Sequence, residues 1–294
     1  MNFLKSFALP VALSVLIASC DKNDDPGPST TEAKINFVFK FDSTQARLNN
    51  FGVAAGLPAG HAAQSPKFNL MSSHYVELAP DQWTALGSGA VLYRAPETTA
   101  GGSNAIDFDQ SVLKGDGETF LSVPIKSMAA GSFNWLRVSL AYQNYDVKYR
   151  TLGQDLTGTI ASFIGFNTYL HDYKVKDSII TVNDDKLQGY WAFETSYLGV
   201  GYLSSGQAPA GATTVPNPLQ ATSPIPAGSC VVTGQFASPL VITGNETNDI
   251  TVIVSLSTNK SFEWIDSDGN GTYDPTNGDA VVDMGIRGLI PIRQ

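Results

Sequence analysis

The sequence predicts an all-β fold: an antiparallel β-sandwich, immunoglobulin-like or jelly-roll-like, with long loops and little helix. Short stretches in which polar and apolar residues alternate recur along the chain, and this is the period of a half-buried strand. Turn formers separate them, with 27 glycines and 16 prolines against only 15% charged residues. No segment carries a sustained helical stripe with caps at its ends.

Residues 34–41 alternate for most of their length and open the body as a strand. The polar, glycine-rich stretch 42–66 reads as a loop. Further strands are expected at 71–78, at 90–93 after a turn at Gly87-Ser88-Gly89, at 104–108, and at 119–125 after a turn at Gly115-Asp116-Gly117. Over 133–142, Trp135, Arg137, Ser139 and Ala141 oppose Leu136, Val138, Leu140 and Tyr142. Residues 159–169 are aromatic and broken by glycine, and 178–182 and 189–195 read as strands with Asp184-Asp185 as a turn between them. The segment 204–227, rich in Pro, Ala, Gly, Thr and Ser, is expected to be a long loop or an internal boundary. Strands follow at 229–236, 240–243 and 249–256, and Phe262-Glu263-Trp264 resembles another. Period-two placement assigns most of Trp83, Trp135, Trp191 and Trp264 to the core.

The first nineteen residues stand outside this pattern. Lys5 precedes an apolar run over 7–17, shorter than the roughly 20 residues a membrane-spanning helix needs but suited to a secretory leader. Leu16-Ile17-Ala18-Ser19-Cys20 resembles the lipobox of bacterial lipoproteins, in which small residues fit the peptidase and the thiol carries diacylglycerol. Asp21-Lys22-Asn23-Asp24-Asp25 resembles the export signal of surface lipoproteins in Bacteroidota-type bacteria. The resemblance implies a leader at 1–19, a lipid (palmitate-bearing) on Cys20, a flexible tether at 20–32 and a sandwich domain at 33–294. It also implies an outer-membrane location, on the cell surface or the periplasmic face.

The net charge of −9, which becomes −10 once Lys5 is lost with the leader, argues against nucleic-acid binding. With Cys20 acylated, Cys230 is unpaired, and its expected role is a small buried residue on a strand. The fold then rests on its core without a disulfide. No nucleophile-elbow, zinc-protease or phosphate-loop motif occurs, so no catalytic residue is assigned and the body is expected not to be an enzyme.

The sharpest motif is Asp266-Ser267-Asp268-Gly269-Asn270-Gly271-Thr272-Tyr273-Asp274. Oxygen side chains stand at loop positions 1, 3, 5 and 9, glycine at 6 allows the sharp turn, and Thr272 at 7 offers its carbonyl, the pattern of a Ca²⁺ loop. Position 12 is Asn277 rather than Glu, so Asp279 or Asp283 would have to curl back to complete the set. Asp266, Asp268, Asn270, Thr272, Asp274 and Asp279 are therefore the candidate ligands of a structural Ca²⁺ pinning the C-terminal hairpin. A solvated Asp-Gly turn is the alternative.

Of three histidines, His61 and His74, with Met71, offer the imidazole and thioether chemistry that suits copper. The opening strand, Ser72-Ser73-His74-Tyr75-Val76-Glu77-Leu78, Ala105-Ile106-Asp107-Phe108, Val123-Pro124-Ile125, the stretch 131–138 and Asn248-Asp249-Ile250-Thr251-Val252 together resemble the MbnP-like family of periplasmic copper-binding β proteins. That resemblance implies a sandwich; it supplies no ligand motif that matches residue by residue, and this chain lacks the abundant cysteines common there. The expected function is a membrane-anchored, non-enzymatic domain that binds an unidentified ligand or protein partner. Copper binding and a glycan-binding or glycan-active role in polysaccharide use are the alternatives.

Overall fold

The computed structural model describes residues 32–49, 52–208 and 228–294. The expected leader, Cys20, residues 21–31 of the expected tether and residues 209–227 lie outside the described residues. Strand makes up 59% of the structure and no α-helix occurs among the described residues, as the absence of a helical stripe predicts. Glu32–Gln294 form one compact unit.

The opening alternation becomes β1 (Lys34–Asp42), in which Ile35, Phe37 and Phe39 are buried while Lys34 and Lys40 are exposed. A short strand, β2 (His61–Gln64), interrupts the expected 42–66 loop. Next come β3 (Lys67–Ala79), β4 (Ala90–Arg94), β5 (Glu97–Thr98), β6 (Ala105–Asp107) and β7 (Thr119–Pro124). The long β8 (Gly131–Thr151) and β9 (Gln154–Phe163) form a hairpin. They precede β10 (Thr168–Lys174), β11 (Ile179–Lys186), β12 (Tyr190–Tyr197) and β13 (Val200–Gln207). The chain ends with β14 (Cys230–Ile242), β15 (Ile250–Ser257), β16 (Phe262–Ile265), β17 (Ala280–Met284) and β18 (Leu289–Arg293).

Four departures from expectation have physical causes. β8 runs on past Tyr142 because Gln143 and Asn144 are buried with their amides donating to the Met284 and Val175 carbonyls, so polarity there does not mean exposure. Asp184 and Asp185 lie within β11, not in a turn, since that strand's outer face is solvated. The 229–236 and 240–243 strands are one, β14, with a register shift between Gln235 and Leu240. Only Trp264 of the four tryptophans is fully buried, and Trp83 is 69% exposed.

The described strands form four sheets. The order β18-β15-β1-β7 forms one, in which β1 runs parallel to β15, a long-range pairing that no local pattern encodes. A curled, half-barrel sheet has the order β13-β12-β9-β8-β3-β4, with β14 also on β8. β8 is long enough to pair with β14 over its first half and with β9 over its second. Two smaller sheets are β11-β10-β6-β5, with β10 parallel to β6, and β17-β16-β2.

The main core is the sandwich interior between the first two sheets. Phe37 and Phe39 of β1 and Val252 and Val254 of β15 meet Leu136, Val138 and Leu140 of β8. A second cluster, centred on Phe163 with Tyr142, Tyr173 and Tyr190, packs β10 against the opposite face of the curled sheet. On the main-core face, the β9, β12 and β13 end of the curled sheet lines a cavity.

Candidate functional site

Strand alternation builds the cavity wall. On β12, Trp191, Phe193 and Thr195 face inward, while Tyr190 and Ala192 enter the second core. The paired strands keep the same phase: Val147 and Tyr149 of β8, Ile160 and Ser162 of β9, and Tyr202 and Ser204 of β13. The result is a concave, mostly apolar and aromatic cavity of about 1210 Å³. Two glycines let the large rings lie flat on the sheet. A Cβ on Gly158 would fall 2.1 Å from the Phe193 ring, and one on Gly206, directly across from Trp191, would lie 3.0 Å from the indole. Tyr149 meets Phe193 edge to face at 5.4 Å and donates from its hydroxyl to Thr195 Oγ1 at 3.1 Å, which in turn donates to the Thr157 carbonyl.

The opposite wall comes from β17 and the turn after it, through Val281, Asp283, Met284 and Arg287, with Cys230 of β14 beside them. Cys230, expected to be buried, is partly buried and packs against the main core; burial, then the Asp283 charge, pushes its thiol up to about 12, which keeps it un-ionised at neutral pH. Arg287 pairs with Asp283 and, at 3.2 Å, with Glu263. Glu263 is buried and also takes Arg47 and His61. Burial works to raise the Glu263 carboxyl, yet the bonds from Arg47 and His61 and the two guanidinium charges outweigh it and hold it below its ordinary value.

The acidic loop joins β16 to β17 and supplies part of the cavity rim through Tyr273, Pro275 and Thr276. Asp266, Asp268 and Asp279 each present a carboxylate oxygen within 4.8 Å of one another. Asp279 does curl back: it is buried, and its oxygens accept from the Ser267 amide and hydroxyl, both at 3.0 Å, and from the Asp274 amide at 2.8 Å. Burial raises its carboxyl, but those donors prevail and hold it below the usual range. Asp283 is engaged by Arg287 instead. Asp274 stands apart from the triad: its carboxylate accepts from Thr276 and caps the 3-10 turn over Pro275–Asn277. Asn270 donates to Asp268 and accepts from the Thr272 amide, while Asp266 Oδ2 accepts from Gly271. Asp266 Oδ1 is shielded from solvent and meets no protein donor among the described residues. Tyr273 fixes the loop to the body: its ring packs on Phe262 at 5.1 Å and Trp264 at 5.5 Å, and its carbonyl accepts from the Arg150 amide at 2.7 Å.

The three residues matched to copper sit in three different surroundings. His61, on β2, bonds Glu263. His74 is fully buried on β3, with Nε2 2.8 Å from Glu97 and its ring stacked on Phe166 at 5.5 Å. Burial lowers the His74 imidazole despite Glu97, favouring the neutral ring. Met71 is fully buried in the main core. Each imidazole engages its own carboxylate, so the structure does not gather the set.

Sequence reading missed the cavity residues Tyr149, Trp191, Phe193 and Tyr202. The available signal was Gly158 and Gly206 opposite a strand carrying two large aromatics, since glycine inside a strand marks close approach. Comparison of this chain with family models, with curated proteins and with solved structures finds no match.

Proposed function

We propose that this protein is an exported, lipid-anchored binding module, non-enzymatic, whose ligand lies on the concave face of the curled sheet. The observation that carries the ligand reading is the aromatic-lined cavity of about 1210 Å³. Its apolar wall with few polar groups is that of a small-molecule site, and its volume lies just above the roughly 300–1,000 Å³ usual for one. The aromatic floor of Trp191, Phe193 and Tyr149 suits a flat or chain-like apolar ligand. Arg287 and Asp283 supply a polar end that can orient one. The lipobox-like Leu16-Ile17-Ala18-Ser19-Cys20 supports the anchor.

The loop at 266–279 is proposed to hold Ca²⁺ as a structural staple. Supporting this are the three clustered carboxylates, the shielded Asp266 Oδ1 with no donor among the described residues, and the position of the loop across the β16–β17 hairpin. A hard cation wants such an oxygen set.

The ligand reading is tested with a neutral apolar fluorophore, N-phenyl-1-naphthylamine, titrated into the unit from Glu32 onward. The expected result is saturable binding to one site, weakened about tenfold by Trp191→Ala, the loss of one aromatic anchor worth roughly 1–2 kcal/mol. Non-saturable uptake, or equal affinity in the variant, contradicts it.

A further inference from the structure

The cavity-bearing end of the curled sheet terminates in two hairpins. Thr151 pairs with Gln154 and Tyr197 with Val200, so each is closed by two residues, Leu152-Gly153 and Leu198-Gly199. Because β12 runs antiparallel to β9, with Thr195 opposite Gly158, both tips stand at the same end of the sheet. Both central residues of each turn are left-handed, with φ of 48° and 73° in the first and 50° and 80° in the second. Turns of this kind favour Asn-Gly. Leucine is a poor choice on two counts, since the left-handed backbone strains it and water surrounds it. Leu152 is 91% exposed and Leu198 85%. The same unfavourable residue stands at the same position of two neighbouring tips, and the described residues of the fold cover neither.

Apolar and aromatic side chains surround the tips. Behind the leucines lie Val200, 73% exposed, and the tyrosines Tyr197 and Tyr202, 47% and 60% exposed. Charge stands beside them on the neighbouring hairpin, where Arg150 and Asp155 are ion-paired one rung behind Thr151 and Gln154. No charged residue occurs between Glu194 and Glu246. Exposed leucine tips flanked by tyrosines, with the nearest charges neutralised as an ion pair, suit the interfacial region of a bilayer. A flat protein partner would call for a continuous apolar face rather than two narrow prongs with a polar rise behind them. Asp274, next to Arg150, and the net charge of −9 disfavour an anionic surface.

We infer that the Leu152 and Leu198 tips insert into a zwitterionic lipid surface and set the cavity mouth against it. Leu152, Leu198 and Val200 also line the cavity, so the docked tips place that mouth where apolar molecules are held. This inference does not depend on the ligand reading, because insertion is measured without any ligand.

The test uses the unit from Glu32 onward, free of lipid anchor, floated with phosphatidylcholine vesicles. The comparison is the double variant Leu152→Asn, Leu198→Asn. The wild type is expected to float and the variant to lose about tenfold or more of its partitioning, since two leucine side chains no longer leave water. Asparagine tolerates the left-handed backbone, so Tm should be unchanged or higher in the variant, which separates loss of docking from loss of fold. Replacing a third of the lipid with phosphatidylglycerol should weaken binding. Failure of the wild type to float, equal flotation of both proteins, or a wild-type dimer that becomes monomeric in the variant overturns the inference; the last would assign the tips to self-association.

Discussion

Glu77→Ala is expected to destabilise the unit by about 3–5 kcal/mol, the cost of leaving a buried charge without its partner. Glu77 and Arg137 are both fully buried, 3.6 Å apart, on the neighbouring strands β3 and β8. Glu77 also accepts from the amides of Gly87 and Gly89 at 2.9 and 2.6 Å. Arg137 donates to the Gln82 carbonyl at 3.1 Å. The pair thus holds the 80–89 connection against the sheet. Removing only Glu77 strands the guanidinium and frees two amides together. Replacing both members by methionine should recover part of the loss, because no charge is left buried, but not all, because the Gly87 and Gly89 amides stay unmet. Urea unfolding of the three proteins checks this. A loss below about 1 kcal/mol in Glu77→Ala, the size of a surface pair, would contradict the account.

Calcium is expected to stabilise the unit by about 2.7 kcal/mol at a concentration one hundred times its Kd. For a unit of this size that raises Tm by roughly 5–10 °C. Asp279→Asn should abolish the increment. The same change should lower stability without calcium, since Asp279 anchors Ser267 and Asp274. The pH dependence has a definite sign. Asp279 titrates below its ordinary range in the fold, so the unfolded chain binds its proton more readily. Its contribution is complete above the unfolded carboxyl value near 4 and is lost as pH falls through the lower folded value. Calcium binding should fade over the same acidic window. Thermal scans with and without calcium, at neutral and at acidic pH, measure all of this. A Tm indifferent to millimolar calcium would leave the loop a solvated turn.

Much of the fold was legible because local rules governed it. The alternation of 34–41, the turns at Gly87-Ser88-Gly89 and Gly115-Asp116-Gly117, and the lack of helical stripes all reflect backbone and burial preferences set within a few residues. Misread segments were governed by distant partners. Gln143 and Asn144 look like a strand end until the Met284 and Val175 carbonyls arrive from elsewhere in the chain. β2 is a strand only because the edge of β16 accepts it.

The acidic loop shows the same division. Glycine and oxygen spacing announced the turn, and Asp279 was one of two residues, with Asp283, expected to curl back. The diversion of Asp274 into a cap for Pro275–Asn277 was not, because a carboxylate serves a cap or an ion equally well in sequence. The aromatic cavity was hidden for a different reason. Period two places Trp191 and Phe193 on an inner face, but whether that face is covered depends on how far the opposing sheet extends, and strand spacing does not encode that.

The central claim is that the concave face of the curled sheet is a ligand site. Photo-crosslinking with a neutral long-chain diazirine, followed by peptide mapping, tests it most directly. Labels concentrated on the inward residues of β8, β9, β12 and β13, and reduced when unlabelled chain competes, are the result expected. Labels scattered over the outer surface, or confined to the Phe163 side of the sheet, would contradict it.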